Sequence, residues 1–204
     1  MSLNKTVSMN AVKQFSLGLW LFVGCLSISV QGIAETVLVE TSQGTMTFEL
    51  WSAVTPKTVA NFKKLVAEKF YDGTAIHRVI RGSLIYGGDP LTKDPAKESD
   101  WGTGGPGYYV ESEISGQKHE FGVISMAHDG NPNQAGSRFL ICLAPNPVLN
   151  RRYTAFGKLV DGADVLQKIG QVPVRALPSG ERSRPTERVE VKKMTLGKPE
   201  AATR

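Results

Sequence analysis

A single arginine, Arg78, interrupts the otherwise apolar run Ile76–Ile80. That run is rich in β-branched residues, and a second apolar run, Ser83–Tyr86, follows after a short polar break. Gly87 and Gly88 end the second run, so the pattern predicts a tight β-hairpin. A guanidinium in such a strand is costly unless it is paired with an acid or given a chemical task. Arg78 is therefore either an ion-paired structural residue or a fixed cation that serves a reaction.

The other reactive side chains match no metal-binding or nucleophilic pattern. The three histidines and Cys142 lack the spacing of metal ligands. Gly136-Ser137-Arg138 lacks the paired glycines of a nucleophile elbow, and Cys142 lies in the apolar run Phe139–Leu143, where a buried thiol is expected. The Gly-rich run Trp101–Gly107 is followed by neither Gly-Lys-Ser/Thr nor a helix, so it is a surface loop rather than a phosphate cradle. We expect no metal and no cofactor.

Most of the chain has the alternating polarity and the turn residues of short strands. Two segments are too rich in Gly, Pro or Arg for this pattern, Pro90–Gly107 and Val172–Arg188, and we expect them to be loops. Besides the central hairpin, the predicted strands are Val37–Glu40, Thr45–Leu50, Gly122–Ala127, Ser137–Leu143, Tyr153–Val160 and Arg188–Leu196.

Two helices are predicted between these strands. The first opens at Thr55-Pro56, with Thr55 as its N-cap, and its apolar face holds Val59, Phe62, Leu65 and Val66. The second follows Asp161-Gly162 and is short. Many short strands with two helices indicate one mainly β domain, a barrel with helical caps.

The residues around Arg78 resemble the signature of the cyclophilins. The matching block is His77-Arg78-Val79-Ile80 with Gly82 and Gly87-Gly88-Asp89. Later blocks are similar to cyclophilins in order and distance, and the resemblance runs from Thr36 to Leu196; these blocks are Ser125-Met126-Ala127, Gly136-Ser137, Phe139-Leu140-Ile141-Cys142 and Phe156-Gly157-Lys158. The resemblance implies a closed eight-stranded antiparallel barrel, capped by two α-helices, with a substrate groove on its outer surface.

The resemblance also implies an activity, peptidyl-prolyl cis-trans isomerisation. Amide resonance sets a barrier of about 18–20 kcal/mol to rotation about an X–Pro bond. The barrier falls when the prolyl nitrogen becomes pyramidal, and a fixed guanidinium that donates to its lone pair favours that twisted state. By its place in the cyclophilin block, Arg78 is the catalytic arginine.

The matched blocks imply a substrate-binding set as well. The proline ring pocket would be formed by Leu84, Leu140 and Leu149, with Ser83 at its rim. Ala127 and His128 match the segment that hydrogen-bonds the substrate backbone, and Tyr153 lines the pocket. Tyr86 and Arg138 stand where cyclophilins usually have two glutamines that position the arginine and the substrate.

Several of these positions depart from the family pattern. Residues that are usually Phe, Gln, Gln, Phe and Trp are here Ser83, Tyr86, Arg138, Leu140 and Val148. Fewer aromatic rings mean less buried contact with a proline, and Arg138 adds a second cation that can repel Arg78 or bind an acidic partner. These changes keep an alternative open, a cyclophilin-fold proline-peptide binding or chaperone module with weak or no isomerase activity.

Residues 1–34 have the pattern of a signal peptide. Lys5 and Lys13 precede the mostly apolar Phe15–Val30, and Gly32 and Ala34 are the small residues that signal peptidase requires, so we predict cleavage before Glu35. An uncleaved anchor is a second possibility, and lipidation at Cys25 is a third. Cleavage would leave Cys142 as the one cysteine, so the mature chain could form no internal disulfide. The domain boundaries are then 1–34 for the signal, 35–199 for the cyclophilin-like domain and 200–204 for a short tail.

The charge balance limits the partners of this protein. The formal net charge is +5, of which the signal segment carries two charges, and the remaining basic residues are scattered among acids. No stripe of Lys or Arg with aromatic residues suggests nucleic-acid binding. We expect an exported, periplasmic monomer that acts on unfolded or extended proline-containing polypeptides and meets a membrane only if its first segment is retained or lipidated.

Overall fold

The computed structural model describes residues 35–197. The predicted signal segment, residues 1–34, and the predicted tail, residues 200–204, lie outside this range. Between residues 35 and 197, no helix has the length and apolar character that crossing a membrane requires.

One antiparallel sheet of nine strands forms the body of the described chain. Its strands in chain order are β1 (Glu35–Thr41), β2 (Gly44–Leu50), β3 (Thr74–Ile76), β4 (Arg78–Ile80), β5 (Leu84–Gly87), β6 (Val123–Met126), β7 (Phe139–Cys142), β8 (Ala155–Asp161) and β11 (Val189–Leu196). Around the sheet they run β3-β11-β1-β2-β8-β6-β7-β5-β4. The predicted hairpin around Arg78 is confirmed, because β4 pairs with β5.

The two end strands of this sheet are consecutive in the chain. Only His77 separates β3, which pairs with β11, from β4, which pairs with β5. The continuous segment Thr74–Ile80 therefore links the two ends, and the sheet is a nearly closed antiparallel barrel. The mainly β barrel is confirmed, with nine strands rather than eight because the strand predicted around Arg78 is divided at His77 into β3 and β4.

Both predicted helices are present and pack on the main core. In α1 (Pro56–Ala67) the predicted apolar face is buried, and the ring of Phe62 lies 5.0 Å from that of Phe156. In α2 (Ala163–Gly170) the side chains of Leu166 and Ile169 are buried. Burying a large apolar side chain contributes roughly 1.5–3 kcal/mol, so these faces anchor the helices to the barrel.

The start of α1 is capped differently from the prediction. The Thr55 side chain makes no capping hydrogen bond. The carboxylate of Glu113 instead accepts hydrogen bonds from the backbone N–H groups of Lys57, at 3.1 Å, and Thr58, at 2.7 Å. The predicted Thr55 cap is wrong because a distant loop brings a charged acceptor to the helix N-terminus, where an anion is favoured.

The predicted loop Pro90–Gly107 contains two short 3₁₀ turns, Pro90–Lys93 and Pro95–Asp100. The buried carboxylate of Asp89 fixes the loop, since it accepts from the backbone N–H groups of Leu91 at 2.8 Å and Gly104 at 3.2 Å. A Cβ on Gly104 would lie 2.2 Å from Asp89 Oδ1, so only glycine permits this approach.

The predicted loop Val172–Arg188 contains a small hairpin, which corrects the sequence interpretation. Its strands are β9 (Val174–Ala176) and β10 (Arg182–Pro185), and they pair with each other rather than with the barrel. Glu98 forms ion pairs with Arg175 and Arg184, and the Arg184 guanidinium lies over the Trp101 ring at 4.9 Å. Sequence analysis missed the hairpin because the segment lacks strand alternation. Contacts with the 90–107 loop hold it in place.

Candidate active site

Arg78 lies at the start of β4, opposite Tyr86 on β5. Because the two residues face each other across the strand pair, their side chains share one face of the sheet. The guanidinium carbon of Arg78 lies 4.8 Å from the centre of the Tyr86 ring, a cation–π contact. The Arg78 side chain keeps 35% of its surface exposed, so it remains open to a ligand.

A carboxylate also holds Arg78. Nε donates to Oε1 of Glu181 and Nη2 donates to Oε2, both at 2.7 Å. The bidentate pair lowers the pKa of Glu181 to about 2 and raises the pKa of Arg78, so both groups are charged near neutral pH. Glu181 directly precedes β10. Sequence reasoning missed it because it is distant from Arg78 in the chain and lies in a segment without a recognisable pattern.

Arg78 and Glu181 line a cleft of about 350 Å³ on the outside of the barrel. The cleft brings together six of the residues predicted to form the site: Arg78, Tyr86, Ala127, His128, Arg138 and Tyr153. Further lining comes from residues that were not predicted, namely His77, Trp101, Gly102, Asp129, Leu177, Glu181 and Arg184. Trp101 and Gly102 belong to the Gly-rich run, which therefore borders the cleft.

Arg138 is already paired within this cleft. Both of its Nη nitrogens donate to the carboxylate of Asp129, and Nη1 also donates to the Gly102 carbonyl. Its side chain is only 15% exposed. Since Asp129 balances its charge, Arg138 repels Arg78 less than a free cation would.

The leucines predicted to form the ring pocket meet on the outer face of the barrel. Leu84, Leu140, Leu149 and Cys142 form a small apolar cluster, separate from the main core that includes Ile85 and Ile141. Alternate residues of β5 and β7 thus point to opposite faces, as strand geometry requires. Burial in this cluster raises the pKa of the Cys142 thiol to about 11.

Tyrosine side chains cover the leucine cluster. Tyr86 and Tyr153 pack against it, and Leu140 is fully buried. Ser83 precedes β5 and accepts a 3.4 Å hydrogen bond from Asn146 at its Oγ, and it is not among the residues lining the cleft. Tyr86 and Tyr153 therefore border the predicted ring pocket.

A stacked pair separates the cleft from a second groove. The rings of His128 and Tyr153 lie 4.4 Å apart and nearly parallel, and His128 Nε2 is 3.1 Å from the Arg152 carbonyl oxygen. Both residues also line a neighbouring groove of about 480 Å³ that includes Leu149 and Val148. Val148 is 67% exposed, so the surface at this position is apolar but not aromatic.

His77 lies behind the cleft at the break between β3 and β4. It is buried, and burial lowers its pKa to about 4, so the ring is neutral at pH 7. Among residues 35–197, its Nδ1 has no hydrogen-bond partner. His77 is thus a buried packing residue between the two strands.

Comparison with known proteins places this chain and its fold in one family. The family model for cyclophilin type peptidyl-prolyl cis-trans isomerase/CLD matches residues 36–196. The peptidyl-prolyl cis-trans isomerase-like 1 of Neurospora crassa is 39% identical over 173 residues, covering 82% of this chain and 98% of that protein. The peptidyl-prolyl cis-trans isomerase B of Bacillus subtilis is 45% identical over 119 residues, covering 57% of this chain and 77% of that protein.

Solved structures give the same result. A crystal structure of a cyclophilin type peptidyl-prolyl cis-trans isomerase of Cryptosporidium parvum superposes with a TM-score of 0.70 at 32% identity, covering 81% of this chain and 98% of that one. A second structure of that isomerase, obtained in the presence of the dipeptide Ala-Pro, gives a TM-score of 0.69 at 32% identity and covers 80% and 99%.

The chain belongs to the cyclophilin-type peptidyl-prolyl cis-trans isomerase family. The resemblance noted in the sequence is confirmed, and so is the enzymatic function that it implied. The relatives are named as isomerases, which does not favour the alternative of a binding or chaperone module without catalysis.

Proposed function

We propose that this isomerase accelerates X–Pro rotation through Arg78, which donates a hydrogen bond to the prolyl nitrogen in the twisted state. The observation that supports this role is the half-exposed guanidinium in an outer cleft, with one edge held and the other available. Glu181 occupies Nε and one hydrogen of Nη2, which leaves Nη1 outside the bidentate pair. A guanidinium has five donors, so three remain for a substrate.

The mechanism requires no proton transfer and no covalent intermediate. The planar cis and trans bonds both delocalise the nitrogen lone pair, whereas the twisted bond localises it on nitrogen. A fixed donor at that nitrogen therefore stabilises the transition state more than either ground state, and this difference lowers the barrier.

The proposed substrate is a proline residue in an unfolded or extended polypeptide. The outer-face leucines Leu84, Leu140 and Leu149 supply an apolar site for the proline ring, with Tyr86 and Tyr153 packed against it. Ala127 and His128 lie beside the cleft, where backbone groups of an extended peptide can pair. Burial raises the pKa of Tyr86, so its hydroxyl stays protonated and can donate.

Substitution of the arginine tests this role. Arg78→Ala is expected to lower kcat/KM for a proline peptide by about 10²–10³-fold, the usual cost of removing a preorganised donor. Arg78→Lys should recover little, because an ammonium lacks the planar fork. The measurement is a protease-coupled isomerase assay or exchange NMR on the same peptide.

The matched control is Arg81→Ala in the turn of the same hairpin. Arg81 is exposed and donates to the carbonyls of Gln171 and Val172, away from the cleft residues. Its removal should leave kcat/KM unchanged. Wild-type activity in Arg78→Ala would overturn the proposed role of the arginine.

We further propose that the chain is exported to the periplasm, cleaved before Glu35 and active there as a monomer. The support is the sequence pattern of residues 1–34, with basic residues, an apolar run and small residues before Glu35. Retention as an anchor or lipidation at Cys25 are the two outcomes that would contradict cleavage at this site.

A further inference from the structure

Arg78 is held by two groups that differ from the usual cyclophilin pattern. Tyr86 and Arg138 occupy the positions where the family resemblance predicts positioning glutamines. Arg138 donates to Asp129 and to the Gly102 carbonyl and does not hold Arg78. The groups that do contact Arg78 are the Tyr86 ring on one face and the Glu181 carboxylate on one edge.

These two contacts restrict the guanidinium on one face and on one edge. The Tyr86 ring, 4.8 Å from the guanidinium carbon, limits its movement on the side of the ring. The two parallel 2.7 Å bonds to Glu181 limit its rotation, since a fork-to-fork pair has one geometry. A long side chain that would otherwise sample many rotamers is thereby held in one.

Glu181 is itself fixed by the hairpin that carries it. The turn is closed by hydrogen bonds from Leu177 N to Glu181 O, at 2.8 Å, and from Gly180 N to Leu177 O, at 2.9 Å. Its two strands are fastened to Glu98 through Arg175 and Arg184. These contacts limit the positions that the Glu181 carboxylate can take beside the arginine.

We propose that Glu181 is a positioning residue for the isomerase reaction and that the β9–β10 hairpin holds it next to Arg78. The carboxylate orients Arg78 so that its Nη1 edge meets the prolyl nitrogen. A catalytic donor that shifts by 1 Å can cost about 10²-fold in rate, so fixing it has a measurable benefit. This inference rests on the proposed role of Arg78.

The carboxylate also acts against catalysis, because it partly neutralises the cation. That opposing effect is weak, since both side chains are more than one third exposed and solvent screens their interaction. The benefit of positioning therefore outweighs the loss of charge. If the loss of charge were larger, Glu181 would inhibit the reaction, and its removal would raise the rate instead of lowering it.

The test is a set of substitutions at Glu181 measured on one proline peptide. Glu181→Ala should lower kcat/KM about tenfold, mainly through kcat, because the transition-state contact is misplaced while ground-state binding is retained. Glu181→Gln keeps one acceptor and should lie between the wild type and Glu181→Ala. Glu187→Gln, an exposed glutamate just beyond the same hairpin, is the matched control and should not change the rate.

Two further measurements separate positioning from a general loss of structure. The Nε–H of Arg78 should exchange slowly with solvent in the wild type and quickly in Glu181→Ala, while the backbone amide spectrum of the barrel stays the same. In the Arg78→Ala background, Glu181→Ala should have no additional effect, since the two residues act as one unit.

The outcomes that contradict the role of Glu181 differ from the outcome that contradicts the role of Arg78. An unchanged or increased rate in Glu181→Ala would overturn the proposal, and so would an equal loss in the Arg78→Ala background. Wild-type activity in Arg78→Ala alone would overturn the role of Arg78 itself, which is a different result from a neutral Glu181.

Discussion

At the scale of single residues, the structure shows how the barrel tolerates a cation in an apolar strand. Arg78 extends from β4 to the outer face, where Tyr86 and Glu181 compensate its charge while leaving part of it exposed. The sequence allowed two interpretations of Arg78, an ion-paired residue or a reactive group. The observed geometry fits both, because Arg78 is paired with Glu181 and still partly exposed. Local sequence could indicate the arginine but not its acid, because Glu181 lies 103 positions later in the chain.

A second residue-scale consequence concerns His77. Burial lowers its pKa to about 4, whereas an unfolded histidine titrates near 6.5. Between these values the unfolded chain binds a proton that the folded chain does not, so stability falls as the pH falls. Between pH 7 and pH 4.5 the free energy of unfolding should drop by roughly 2–3 kcal/mol from His77 alone. Urea unfolding at several pH values measures this.

The control for this prediction is His77→Gln, which removes the titrating group and should flatten the pH dependence. His119→Gln is a useful comparison, because burial also lowers the pKa of His119 and its removal should leave the His77 contribution in place. Identical pH profiles for the wild type and His77→Gln would show that this histidine does not carry the dependence.

At the scale of elements, patterns that repeat along the chain were predictable and contacts that cross it were not. The β1–β2 hairpin and the buried face of α1 follow from periods of 2.0 and 3.6 residues, which need only local sequence. The β9–β10 hairpin has no such period, and its Arg184 contacts Glu98 and Trp101 in another loop. For the same reason the sequence suggested a local cap for α1, whereas Glu113 provides it from 55 and 56 residues away.

The cap of α1 gives a testable stability difference. Glu113→Ala removes a charged acceptor from two backbone N–H groups and should lower the free energy of unfolding by about 1–2 kcal/mol. Chemical denaturation at pH 7 measures the change. Isomerase activity under native conditions should persist, since α1 lies on the main core and not at the cleft.

Glu111→Ala is the matched control for the cap. Glu111 lies in the same loop and forms an exposed ion pair with Lys57 Nζ at 2.5 Å. An exposed pair of this kind is screened by solvent, so its loss should change stability little. Equal destabilisation by the two substitutions would indicate that surface charge, rather than capping, accounts for the effect of Glu113.

At the scale of the whole molecule, one sheet carries two apolar clusters on its two faces. The inner cluster is the barrel core, and the outer cluster with Leu84 and Leu140 is the proposed site for a proline ring. The barrel class could be predicted from strand number and from the cyclophilin blocks. The tyrosine cover of the outer cluster could not, because side-chain rotation in a substituted site depends on all of its neighbours at once.

The export proposal makes a prediction about the intact chain. The protein recovered from a periplasmic fraction should begin at Glu35, as read by the mass of its N-terminal peptide. Glu35 is the first residue of β1, and its carboxylate accepts a 2.6 Å bond from Lys63 Nζ, so cleavage there leaves the barrel whole. An N-terminus at Met1, or a lipid-modified Cys25, would contradict this.

The control is Ala34→Arg, which removes the small residue that signal peptidase requires and should leave a longer chain in the membrane fraction. Equal processing of the two forms would mean that cleavage occurs elsewhere.

Cys142 has a consequence for how the enzyme itself matures. Its sulfur is fully buried beneath the outer tyrosines, and its thiol resists ionisation. Exported proteins encounter oxidases that form disulfide bonds while the chains are still folding. The proposed mature chain offers those oxidases one thiol, so no mispaired disulfide can form within it, and folding buries that thiol. The proposed exported isomerase would therefore mature without thiol exchange.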